Sequence, residues 1–129
     1  MRGPRRYLIL LCLLACFGCG KKSTDQLIAD LKGSQDRDRI IAVRSLPERK
    51  GDAAQVVPAL TEALKDTDGD VRRSAAIGLG TFGDQAKDAI PALQKAQHDP
   101  DARVREAAGV ALSRIDPEKF PKPSKPRGK

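Results

Sequence analysis

Between Val56 and Ile115 the apolar residues return at spacings of three and four, the pattern of helices that bury one face. Val71, Ser74, Ala75, Gly78, Leu79 and Phe82 form one such face. Val104, Ala107, Ala108, Ala111, Leu112 and Ile115 form another, 33 positions later. A shorter helix is expected ahead of each. The first of these starts near Val56, with Pro58 in its opening turn, where a missing N–H costs nothing, and continues through Leu60, Ala63 and Leu64. Asp66-Thr67-Asp68-Gly69-Asp70 then breaks the pattern, and an Asp there can accept hydrogen bonds from the free N–H groups that open the next helix.

The two faces belong to a longer repeat. Residues 57–83 and 90–116 align at 27 positions, and ten are identical, from Pro58/Pro91 to Leu79/Leu112. A fainter copy covers residues 24–50, where Leu27, Leu31, Arg39, Ala42 and Leu46 fall under Leu60, Leu64, Arg72, Ala75 and Leu79. It departs at Gly33, which stands in the place of Asp66, at Asp38 (for Val71) and at Pro47 (for Gly80). Its second helix is expected to face inward through Asp38, Ile41, Ala42, Ser45, Leu46 and Arg49, with polar ends that suit a terminal unit meeting water. A fixed period of this size means stacked units that bury their apolar faces only against one another. The expected organisation is a leader over residues 1–18, a short linker over 19–23, repeats over 24–55, 56–88 and 89–116, and a tail over 117–129.

Pro-Ala-Leu in the first helix, an Asp-rich turn, and Val-Arg-x-x-Ala in the second resemble the HEAT-repeat family in its short bacterial form. The resemblance covers residues 24–116 and implies an all-α, right-handed solenoid of about three two-helix repeats. It also implies that Asp66 and Asp99 join Arg72 and Arg105 in a ladder of charged hydrogen bonds. Arg39 keeps the arginine in repeat one and Gly33 lacks the aspartate, so the ladder is expected to be incomplete at its N-terminal end. In such solenoids the second helices line the concave side, where partners bind. The exposed positions there are Arg44, Arg73, Ile77, Glu106 and Val110, candidates for a partner surface.

Charge changes the picture at the ends. The net +7 conceals a repeat region with 14 Lys and Arg against 16 Asp and Glu, so the high isoelectric point belongs to the termini and argues against nucleic acid as the partner of the repeats. Arg2, Arg5 and Arg6 precede an unbroken apolar run from Tyr7 to Phe17, far short of the ~20 residues of a spanning helix, and small residues follow. This reads as an export signal. All three cysteines lie in it, and none is left in the repeats for a disulfide or a metal. Cys19, after Gly18 and before a polar stretch, resembles the lipidated cysteine of bacterial lipoproteins; Cys16, after Leu13-Leu14-Ala15, is the alternative. The resemblance implies a lipid anchor at the cell envelope, since several acyl chains at ~0.8 kcal/mol per buried CH₂ hold stably. The Pro- and Lys-rich tail is expected to be extended and to bury little.

The sequence offers no catalytic constellation. Gly69 comes too early in the Asp-rich turn for an EF-hand loop, and Ile77 stands where the closing Glu belongs. His98 is the only histidine, so neither a zinc site nor the His-Glu pairs of HEAT-type metallo-hydroxylases can form. Phycobilin lyases share this repeat type, but the repeats here are few and lack a cysteine to handle a bilin. The expectation is a monomeric, non-catalytic protein-binding or scaffold module with no cofactor. An accessory subunit that presents a substrate or cofactor to an enzyme is the alternative, and a nucleic-acid-binding solenoid a third if the chain is not exported.

Overall fold

A computed structural model describes residues 20–122. The proposed leader, with Cys16 and Cys19, and the end of the tail lie outside the described residues. Six α-helices follow one another: α1 (Thr24–Leu31), α2 (Asp36–Ser45), α3 (Ala53–Ala63), α4 (Gly69–Phe82), α5 (Ile90–Ala96) and α6 (Ala102–Ile115). Short 3₁₀ turns over Leu46–Glu48, Lys50–Asp52 and Gly83–Ala89 join the pairs. Among the described residues there is no strand. The pairs α1/α2, α3/α4 and α5/α6 stack into an all-α solenoid, with α4 packed between α2 and α6.

Local chemistry sets the helix starts. Ser23 and Gln26 close a reciprocal cap on α1, each side chain accepting from the other's backbone N–H. Asp68 accepts from the N–H groups of Asp70 and Val71 to open α4, and Asp101 from that of Arg103 to open α6. α4 ends at Gly83, whose φ of 54° is the only positive φ among the described residues.

The core is one cluster of Leu, Val, Ala and Ile running the length of the stack, with Phe82 its only buried aromatic ring among the described residues. Leu46, Leu79 and Leu112 stand at the same register in successive repeats and are fully buried. Close approach of α4 and α6 requires Gly80: a Cβ there would sit 3.0 Å from the Ala111 Cα.

Four expectations change. α3 begins at Ala53, not near Val56, because Ala53, Ala54 and Gln55 are good helix formers that extend it backward. Pro58 therefore lies inside α3, whereas Pro91 does occupy a first-turn position in α5. α2 buries Arg39, Ala42, Val43 and then Leu46, and leaves Asp38 and Ile41 exposed, because among the described residues no helix packs on that side. The start of the tail does not run free. Asp116 accepts from the backbone N–H of Lys119 and of Phe120, and Phe120 packs partly buried against the core.

Candidate interaction face

The second helices of the pairs, α2, α4 and α6, lie side by side and leave two shallow grooves between them. The groove between α2 and α4, about 370 Å³, is lined by Arg44, Pro47, Arg73, Ser74, Ile77 and Thr81, among others. The groove between α4 and α6, about 280 Å³, is lined by Arg73, Ile77, Arg103, Glu106, Val110 and Arg114 with the helix alanines. Ile77 and Val110 remain 42% and 43% exposed, where large aliphatic side chains are ordinarily buried. Arg44, Arg73, Ile77, Glu106 and Val110 thus share one continuous face.

That face is basic. Arg44, Arg73, Arg103 and Arg114 line the two grooves, with Glu106 as the one acid in that lining. Arg103 is engaged by Asp101 at 2.8 Å and Asp70 at 3.0 Å, and the hydrogen bond to Asp101 holds its guanidinium above its ordinary pKa. Arg44, Arg73 and Arg114 form no ion pair among the described residues. On the opposite side, a groove formed by α3 and the turn before α5 carries Glu62 and Asp88 and no cation. Glu62 is paired with Lys65 at 3.0 Å, so the distinctive feature is the group of arginines, unpaired among the described residues, on the α2, α4 and α6 side.

The arginine ladder fixes how far apart these helices stand. Arg39 Nε and Nη2 donate to Asp66 at 2.9 and 3.2 Å, and Arg72 Nε and Nη2 donate to Asp99 at 2.8 and 3.0 Å. Each is a two-pronged, charge-assisted contact from one repeat to the next. The third prong turns back on its own repeat, Arg39 Nη1 to the Gly33 carbonyl and Arg72 Nη1 to those of Asp66 and Thr67. Each aspartate also accepts the N–H two residues on, at 2.8 Å. Hydrogen bonds from Arg72, helped by the Asp101 N–H, hold Asp99 below the ordinary carboxylate range despite its burial.

The ladder has a direction, and this corrects the expectation about its gap. Arginine reaches forward to the aspartate of the following repeat, so Arg39 is fully engaged and Gly33 leaves no arginine unsatisfied. The open rung is at the other end. Arg105 Nη1 donates to the carbonyls of Asp99 and Pro100, and no carboxylate meets its guanidinium among the described residues.

The sequence profile of the family described as HEAT repeats matches residues 24–113. The chain is a HEAT-repeat protein. Among solved structures it is similar to a chain in the complex of CpcE and CpcF of phycocyanin lyase from Nostoc sp. PCC7120, at 29% identity and a TM-score of 0.67. The match covers 78% of this chain and 40% of that one, so the HEAT-repeat chain spans less than half the length of this neighbour. No curated protein matches it.

Sequence reasoning missed Arg103 and Arg114 on the HEAT-repeat face. The signal was present: Arg103, Glu106, Val110 and Arg114 stand at i, i+3, i+7 and i+11 of one helix. It also missed Ile41, 47% exposed, which lines a separate groove at the N-terminal end with Leu27, Lys21 and Lys22. The turn acids are consumed structurally, Asp66 by Arg39 and Asp68 by the helix start. Among the described residues no group of three His, Cys, Asp or Glu is placed to hold a metal, and no helix is long and apolar enough to cross a membrane.

Proposed function

We propose that this HEAT-repeat protein is a non-catalytic module that binds an acidic protein segment along α2, α4 and α6. One observation carries the reading: Ile77 and Val110 stand exposed in grooves whose rims hold Arg44, Arg73 and Arg114 without acidic partners. Aliphatic anchors inside a charged rim are what a protein interface uses. A site for single-stranded nucleic acid would want aromatic rings for stacking, and the linings of these grooves contain none. A second reading, in which the module presents a partner's substrate to an enzyme, draws on the likeness to a chain of the phycocyanin lyase complex. Both readings need a bound protein, and they differ in whether activity follows.

We further propose that the module works at the cell envelope, tethered through lipid on Cys19. The Arg-led apolar run and the Gly18-Cys19-Gly20-Lys21 junction support this. Two measurements test the proposals. Intact mass of the protein from host membranes should equal residues 19–129 plus acyl groups; an unprocessed chain in the soluble fraction would remove the anchor. Affinity capture from the same membranes should recover a specific acidic partner that Ile77→Asp loses. Recovery unchanged by Ile77→Asp and Val110→Asp together would refute the face.

A further inference from the structure

Besides the face already described, the outer side of the third repeat is left open among the described residues. Arg105, Gly109 and Ser113 stand 33 positions after Arg72, Ala76 and Gly80. In the second repeat those residues meet the next one: Arg72 grips Asp99, Ala76 is fully buried, and Gly80 lies against Ala111. In the third repeat the same register lines an open groove of about 690 Å³, bounded also by Gln97, Val110 and Phe120. Phe120 covers only part of it.

Arg105 is already held as a rung. Its Nη1 donates to the Asp99 and Pro100 carbonyls at 2.7 and 3.0 Å, as that of Arg72 donates to the Asp66 and Thr67 carbonyls. Its Nε and Nη2, the two prongs that grip a carboxylate in Arg72, have no partner among the described residues. Arg105 is exposed, whereas Arg39 is buried and Arg72 nearly so. Lys119 and Lys122 on the groove wall add positive charge against the lone Glu106.

We propose that this end of the stack docks a helix pair of another polypeptide, whose turn supplies an aspartate to Arg105 as Asp99 supplies one to Arg72. Charge and register select this occupant. A second copy of the chain would present Gly33 at the position where the carboxylate is needed. Among residues 123–129 the charged side chains are Lys125, Arg127 and Lys129, and none is an acid, so no side chain there matches the Asp99 that Arg72 grips. This docking is end-on and centred on Arg105, Gly109 and Ser113; it meets the helix face at Glu106 and Val110 but does not include Arg73 or Ile77.

The test places the photo-crosslinking residue benzoylphenylalanine at Gly109 of the full chain in its native host. A Cβ added there meets only Gln97 Nε2, at 3.7 Å, and the position opens onto the groove of about 690 Å³. The expected adduct joins a different polypeptide within a helix–turn–helix segment that has Asp in its turn. Arg105→Gln should lower its yield about tenfold, the weight of one charged hydrogen-bond pair, with the thermal midpoint unchanged. Arg105→Lys, which keeps the charge and loses the fork, should give an intermediate yield. The same probe at Ile77 reports the helix face and should not respond to either substitution. Adducts only to residues 117–129, adducts to a second copy, adducts indifferent to Arg105→Gln, or none at all would each overturn the proposal.

Discussion

Arg39, Arg72 and Arg105 occupy one register, and what lies one repeat ahead makes them different. Arg39 and Arg72 hold half-buried carboxylates with two prongs, whereas Arg105 holds only carbonyls. Arg72→Ala leaves Asp99 without its principal donor, and the expected cost is about 1.5–3 kcal/mol in chemical denaturation. Asp99 also sets a pH dependence. Its folded pKa lies below the unfolded one, so its contribution is complete above the unfolded value and is lost as pH falls through the folded value. Thermal midpoints should therefore drop steeply below about pH 4, and Asp99→Asn should flatten that drop. The sequence supplied the members of this ladder but not its direction. Arg72 lies six residues from Asp66 and 27 from Asp99, and only the stacked geometry decides which it grips.

At the scale of elements, the pairing of α4 with α6 depends on what Gly80 lacks. Gly80→Leu would drive side-chain carbons into the Ala111 backbone, and overpacking of this kind costs about 1–3 kcal/mol in a melting experiment. Gly109→Ala is the control, because its added carbon meets only a flexible amide and should be neutral or stabilising. The helix faces were legible because apolar spacing survives any detail of packing. The start of α3 was not, because the preference of Pro58 for a first turn outweighed the modest propensities of Ala53, Ala54 and Gln55. The fold-back of Phe120 was hidden by the prolines around it. Composition describes a segment on average, and one ring against the core is an exception to the average.

For the whole molecule, net charge concealed a local cluster of cations on one face. The sum of 14 cations and 16 acids says nothing of Arg44, Arg73 and Arg114 gathered on one face without ion pairs among the described residues. Reversing Arg73 and Arg114 to Glu should weaken partner capture at least tenfold at low salt, and added salt should weaken wild-type capture too. These residues are exposed, so the melting temperature should not move by more than a degree or two. Lipid attachment through Cys19 would hold such a face near a membrane surface, where even a modest affinity is raised by local concentration.

Both complete rungs join residues 27 apart, and the copies recur every 33 residues. The chain can therefore change length only in quanta. A tandem duplication of one whole unit within the coding sequence would carry its own arginine and aspartate and leave every rung matched. A gain or loss of a few residues between Arg72 and Asp99 would instead shift one partner past the other and sever the ladder there. Variation among descendants of this chain should accordingly be counted in whole repeats, with smaller indels confined to the two ends, outside the spans from Arg39 to Asp66 and from Arg72 to Asp99.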